Sequence, residues 1–488
     1  MSEPTSISSR AAVFLVALTS GLVLVVEILA GRLMAPYVGV SLETFTGIIG
    51  TILAGIALGA AVGGALADKH DPVRLIGLAL FFGGGLTWLS LPIVFLLGPN
   101  LGAGPAAIVT LAASAFLLPA AVLSGIGPMV AKLELDSIDE TGSVVGRLSA
   151  ASTFGALVGT FGTGFVLIAL APVRAIIIGV GAILVVLGIV VLIKSGRKRP
   201  DNVEIAAVIF AAIFGLTATS PCEYTTDYFC VRVVADADRT QSTDPRPGGR
   251  SLLLDQLRHA HVDLDDPLHL DIRYIRLFAD TVESLPEGPL RVLHVGGGGF
   301  SLPRYINAVR PGSTNVVLEL DDQLVDIARA ELGLTDDDNL DIRTGDARLH
   351  LADLPTDGFD LIIGDAFAAD SVPWHLTTIE VIREYDRLLD NDGLYAMNVI
   401  DGNQSRFARA QLDTLGEVFD HLGAIHPADP IPRFSVNQIL LAHRDGVPQL
   451  DVDPPDGRQL TADEVTAFIG DNDIILRDDF APADQLLP

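Results

Sequence analysis

The sequence predicts two architectures in one chain: a multispanning α-helical membrane domain of about seven helices, then an α/β soluble domain built on a parallel sheet. Three observations carry this. Seven apolar runs of spanning or near-spanning length precede residue 221. Residues 1–221 hold 11 acidic and 11 basic side chains, so the whole net charge of −28 lies in the remainder. From residue 290 onward, short apolar runs alternate with amphipathic helix-like segments, the rhythm of strands joined by crossover helices.

The apolar runs fall near 11–34, 42–66, 74–97, 104–131, 148–171, 174–193 and 203–220, the last being the shortest. About 20 residues cross the hydrocarbon core of a bilayer. No small-residue cleavage site follows the first run, so it reads as a retained helix rather than a removed leader. Lys69 and Arg74, then Lys132 and Arg147, then the cluster "KSGRKRPD" mark alternate loops, while 35–41 and 98–103 carry no Lys or Arg. Positive loops face the cytoplasm, which places the N-terminus there. Seven spans then place the soluble half outside; a re-entrant 203–220 would return it to the cytoplasm. Cys222 and Cys230, the two cysteines of the chain, flank "EYTTDYF" after the last run. An oxidising exterior would let them pair; two unrelated thiols near a membrane surface is the other reading. Glu27 and Arg32 lie inside the first run, where charge is costly, although Arg32 can snorkel to the interface. Small residues recur in "GIALGAAVGGALAD" and "STFGALVGTFGTGF", a spacing that lets helices approach closely.

An acidic soluble half argues against nucleic-acid binding, which relies on Lys and Arg at phosphates. "DYFCVRVVAD" and "RSLLLDQ" read as paired strands, and "HLDIRYIRLFADTVESL" as a helix. Then "LRVLHVGGGG" is a strand and loop, "TNVVLELD", "LDIRTGDARLHL", "FDLIIGDAF" and "LYAMNVID" supply further strands, and helices fall between. Such sheets bind ligands beyond the carboxyl ends of their strands, and each candidate residue falls at one. Gly296 to Gly299 end the first strand, where glycine allows close backbone approach and exposes amides. Alone that is a weak signal, since a tight turn would explain it. Glu319 ends the second strand, placed for ribose hydroxyls. Asp346 ends the third, placed for an adenine amino group, and Asp365 ends the fourth after an apolar run, a candidate base. The G-x-G-x-x-G of dinucleotide sites is absent, because Ser301 stands two residues past Gly299. The set favours an S-adenosyl-type nucleoside.

At these residues the chain resembles a family. "RSLLLDQLRHAHVD", "HVGGGG", "VLELD", "TGDAR", "IIGDAF", "VPWHLTTIE" and "NQILLAH" are similar to stretches of polyamine aminopropyltransferases (spermidine synthases), a variant of the class I methyltransferase fold. The whole chain resembles bacterial proteins that fuse a transporter-like membrane region to that domain, and its closing "LRDDFAPADQLL" resembles their end. The resemblance implies a Rossmann-like sheet of class I methyltransferase type with a small N-terminal β subdomain. It divides the chain into a membrane domain at 1–221, a β-rich subdomain at 222–285, a nucleoside-binding domain at 286–445 and an acidic extension at 446–488. It implies S-adenosylmethionine or its decarboxylated form as co-substrate, with no tightly bound cofactor and no metal. It makes Gly296, Gly298, Glu319, Asp346 and Ala347 nucleoside contacts, Asp365 the base for an attacking amine, and Tyr274 a substrate contact. The bacterial plasma membrane is the implied location, and a small amine or an unknown acceptor the implied partner.

The departures from the family are specific. Gly299 stands where the glycine loop carries an Asp, and Ala368 where a second acceptor-binding Asp is expected, with Asp370 as a possible substitute. "DIR" precedes Tyr274 in place of an acidic stretch, and Arg276 follows it at another acidic position. A dicationic amine needs several carboxylates. The leading expectation is a transferase moving an aminopropyl or related group to an amine. The alternatives are a diverged methyltransferase-like binding or regulatory domain, and a transporter- or flippase-like membrane region as the primary function.

Overall fold

A computed structural model describes residues 8–487 except 40, 102–103, 136–140, 195–199, 239–244, 256, 368–371 and 427–435. Asp370 and Ala368 lie outside the described residues, as does most of the third basic loop. Contacts divide the chain into two units, Met1–Cys230 and Val231–Pro488, so the division falls inside the strand that opens the expected β subdomain.

In the first unit, six helices are long and apolar enough to cross a membrane: Ser9–Val38, Leu42–Ala67, Pro72–Leu101, Pro105–Glu134, Thr141–Leu170 and Val173–Lys194. The seventh apolar segment is the helix Asn202–Thr217, 16 residues long. At about 1.5 Å per residue it extends about 24 Å, short of the ~30 Å hydrocarbon core. Its length, not its composition, sets it apart. Glycines bring the helices together. A Cβ on Gly155 would lie 1.8 Å from the carbonyl oxygen of Ala17, and one on Gly59 2.0 Å from that of Ala121. The small-residue stretches are therefore helix–helix contacts. Arg32 reaches past the end of the last helix and donates to the carbonyl of Thr226 at 3.0 Å. Cys222 and Cys230 form a disulfide with Cα atoms 5.1 Å apart.

A two-residue strand, β1 (Tyr224–Thr225), precedes the antiparallel β2 (Cys230–Ala235), β3 (Gly249–Leu254) and β4 (Leu257–Asp263). The remaining strands are β5 (Arg291–Val295), β6 (Thr314–Glu319), β7 (Leu340–Thr344), β8 (Phe359–Gly364), β9 (Leu389–Asp401), β10 (His421–His426), β11 (Val436–His443) and β12 (Arg458–Gln459). They form one sheet in the order β12-β10-β11-β9-β8-β5-β6-β7. The pairs β5–β6, β6–β7, β5–β8 and β8–β9 are parallel, and β9–β11, β10–β11 and β10–β12 are antiparallel. The sheet is thus mixed: parallel where the alternation predicts it, antiparallel at the edge. The order reverses between β5 and β8, which opens a crevice at their carboxyl ends.

The central strands are buried on both faces, as their unbroken apolar runs require. Val292, Leu293, Val295, Leu361, Ile362 and Ile363 are each at most 1% exposed. Residues 446–487 are integral to this unit: β12 joins the sheet, and Leu460, Val465, Leu476 and Leu486 enter its core.

Candidate functional site

The glycine loop leaves β5 at the point where the strand order reverses. Gly296 has φ +107°, and a Cβ there would lie 2.3 Å from the carbonyl oxygen of Asp365. Only glycine lets the loop cross the end of β8 so closely. The Asp365 amide in turn donates to the Val295 carbonyl at 2.9 Å. Gly298 is left-handed at φ +51°, and the buried Phe300 at φ +56°, an uncommon conformation for a residue with a side chain.

Glu319 is 6% exposed at the end of β6. Its Oε2 accepts from the amides of Gly297 at 2.9 Å and Gly298 at 3.2 Å, and its Oε1 from the amide of Asp321 at 3.0 Å. Burial pushes its pKa up, and the backbone donors oppose that rise. Glu319 therefore fixes the loop as well as facing the crevice. Asp346 caps the short helix Ala347–Leu351, with Oδ1 accepting from the Arg348 amide at 2.9 Å. Its Oδ2 lies 3.4 Å from Nε2 of His375. Ala347 is buried beside it.

Asp365 follows β8 by one residue. Its Oδ2 accepts from the Tyr274 hydroxyl at 3.2 Å and its Oδ1 from Nδ2 of Asn398 at 2.9 Å. The Tyr274 hydroxyl is also 3.2 Å from the carbonyl of His259, so its one proton serves one acceptor at a time. Burial raises the pKa of Asp365 from the ordinary carboxylate value to about 7, against the two hydrogen bonds. A carboxyl that titrates near neutrality is poised to exchange protons. Burial and the adjoining Asp365 push the Tyr274 phenol well above its usual range, so it stays a hydrogen-bond donor. Burial lowers His259 to about 4, leaving it neutral.

Two of the departures, Gly299 and Arg276, have physical settings. A Cβ on Gly299 would sit 2.6 Å from Cβ of Ala260 on β4, with Val262 at 3.5 Å. That is backbone-anchored carbon, so the space for a side chain at 299 is filled. Arg276 turns to the C-terminal residues: its Nε donates to Asp456 at 2.6 Å, and Nη1 donates to the carbonyls of Leu270 and Asp271 at 3.1 and 2.9 Å.

The structure thus gathers Gly296, Gly298, Glu319, Tyr274 and Asp365 around the ends of β5, β6 and β8, with Asp346 and Ala347 at the end of β7. Sequence reasoning missed Asn398, which is 1% exposed and is itself held by Asn437 at 3.0 Å. A lone amide within the apolar run "LYAMNVI" was the signal. It also missed Arg348, His375 and Asp478, which form one network.

With this geometry in place, comparisons bear on the soluble part of the chain. Polyamine aminopropyltransferase of Vibrio vulnificus (strain CMCP6) is 29% identical over 162 residues, 33% of this chain and 52% of its own length. The soluble half is thus similar in sequence to part of that aminopropyltransferase. An eEF1A lysine and N-terminal methyltransferase of Danio rerio is 29% identical over 140 residues, 27% of this chain and 20% of its own. The structure is also similar to a probable spermidine synthase from Corynebacterium glutamicum ATCC 13032, at 24% identity and TM-score 0.48, covering 54% of this chain and 99% of that one. No family model matches. The matched segment spans about half the length of the Vibrio vulnificus aminopropyltransferase.

Proposed function

We propose that the protein is a membrane-anchored group transferase that takes an S-adenosyl-type nucleoside as donor and an amine as acceptor, with Asp365 as the base. The observation that carries this reading is Asp365 itself: a carboxyl titrating near 7, buried beside the glycine loop at the strand-order reversal. The ionised Asp365 takes a proton from the acceptor amine. The freed lone pair attacks a carbon bonded to the donor's sulfonium sulfur, the C–S bond breaks, and the sulfur leaves as a neutral thioether. Leaving-group assistance is small, so alignment supplies most of the catalysis. Tyr274 and Asn398 hold the carboxyl in place. Calorimetry of the full chain with S-adenosylmethionine and its decarboxylated form tests the site; binding of neither removes the proposal.

Gly299 favours a second reading over plain aminopropyl transfer. With Ala260 filling the space beside it, no carboxylate at 299 can hold a donor's terminal amine. A methyltransferase-like reaction, or a binding domain serving the membrane unit, accommodates this departure.

For topology, we propose a cytoplasmic N-terminus and an exterior soluble half. The Cys222–Cys230 disulfide supports it, since such bonds persist in oxidising compartments. The 16-residue Asn202–Thr217 must then cross the bilayer, with local thinning of the lipid. Protease added to intact cells reads the outcome: protection of the soluble half would sink the exterior placement.

A further inference from the structure

We infer that the C-terminal segment around Asp478 is part of the donor site, and that Asp478 is a positioning residue for Asp346 and His375. This rests on the S-adenosyl reading of the site.

The segment is stitched to the end of the sheet where Asp346 lies. Asp478 accepts from both terminal nitrogens of Arg348, Nη1 to Oδ1 at 2.8 Å and Nη2 to Oδ2 at 2.6 Å. Such a two-point pair fixes the guanidinium plane as well as its position. Asp478 Oδ1 also accepts from the Thr378 hydroxyl at 2.7 Å, and its amide donates to Glu380 at 3.1 Å. Two residues earlier in the same segment, the Leu476 carbonyl accepts from the Ile379 amide at 2.8 Å, and Leu476 is wholly buried. The far end of the network reaches the crevice. Arg348 Nη1 donates to the His375 carbonyl at 2.9 Å, and the His375 ring lies 3.4 Å from Asp346 Oδ2. The Arg348 amide occupies Asp346 Oδ1.

Asp346 therefore has one oxygen fixed by its own helix, and its second oxygen lies 3.4 Å from the ring of a histidine whose backbone carbonyl accepts from Arg348. That second oxygen is the one available to an exocyclic amine of adenine. Without Asp478, Arg348 loses the partner that orients it, and both ends of the aim loosen. The pair is partly solvated, with side chains 29% and 42% exposed. Orientation, not bulk stability, is what it supplies.

The test compares S-adenosylhomocysteine with S-inosylhomocysteine, which carries a carbonyl in place of the exocyclic amine, by calorimetry on the full chain in detergent. The wild-type protein is expected to prefer the adenosine form by about 10-fold or more, as sites built for a donor NH do. Asp478→Asn is expected to lower that ratio at least 3-fold, and Asp478→Glu to restore part of it. General loosening would weaken both nucleosides equally and leave the ratio unchanged; an unchanged ratio overturns the proposal. Should Asp478→Asn not fold, Thr378→Val removes one hydrogen bond to the same carboxylate and is expected to lower the ratio about 2-fold. No change there is equally decisive. A wild-type protein that binds neither nucleoside fails the donor reading itself. One that binds both alike fails only the role given to Asp346 and its network.

Discussion

On the side of the crevice proposed to hold the nucleoside, Glu319 and Asp346 stand at strand ends with carboxyl oxygens tied to backbone amides. On the side proposed for the donor's tail, Gly299 is packed against Ala260, and Arg276 has turned away to Asp456. The first side follows from the sheet: any chain with this strand order presents its strand ends there. The second depends on what the β4 hairpin and the C-terminal residues place against the loop. The Glu319 side thus keeps the expected arrangement at its strand ends, and the Gly299 side departs from it in its packing. Asp365 lies between the two, and the sharpest experiments start with it.

The largest expected effect is on turnover. Asp365→Asn keeps the shape and one oxygen to accept from Asn398, places an amide NH2 where the Tyr274 hydroxyl donates, and cannot take a proton. Transfer should fall about 1,000-fold, with donor affinity within a few-fold of wild type. Initial rates beside calorimetry measure both; unchanged turnover would remove Asp365 as base. Next is Gly296→Val. It places a branched side chain at φ +107°, against the Asp365 carbonyl at 2.3 Å. A loss of about 3 kcal/mol in stability is expected, together with loss of donor binding. Denaturation in parallel with binding would break the comparison if the variant were stable and still bound donor.

Stability against pH comes third. The folded pKa of Asp365 is about 7 and its ordinary value is 3.8. Between them the folded state holds a proton that the unfolded chain has released. Stability from this group is therefore lost as pH rises through that window. Asp365→Asn should gain about 4 kcal/mol relative to wild type at pH 8 compared with pH 4. Melting at the two pH values checks the sign, and a gain confined to acid pH would contradict it.

These residues show what a sequence of this kind can reveal. Glu319, Asp346 and Asp365 were legible because alternation of strands and helices places strand ends without further information. The mixed edge of the sheet was not, since "NQILLAH" reads as a strand whichever way it runs. The Arg348–Asp478 pair spans 130 residues of chain and Arg276–Asp456 spans 180, so no local pattern announces either. Composition identified the apolar segment at 203–220, but where its helix stops depends on turns beyond it, and its length decides whether it spans. Gly299 was legible as a departure from the family. That the departure is closed off by Ala260 was not.

That closure gives the smallest and most discriminating prediction. If Gly299 were a simple loss, Gly299→Asp would restore a carboxylate for the amine of a decarboxylated donor. The geometry argues otherwise. The new Cβ would meet Ala260 Cβ at 2.6 Å, and Val262 and Leu332 line the space beyond it. Ala260 is 5% exposed and sits in the β3–β4 pairing, opposite Leu252, so it cannot swing aside as a flexible side chain would. The variant should lose about 1–2 kcal/mol of stability through overpacking. It should gain no affinity for decarboxylated S-adenosylmethionine over S-adenosylmethionine. Calorimetry with both donors decides it. A clear gain for the decarboxylated form would show that the hairpin yields, and that the tail side of the crevice differs from the nucleoside side by one residue, not by its packing.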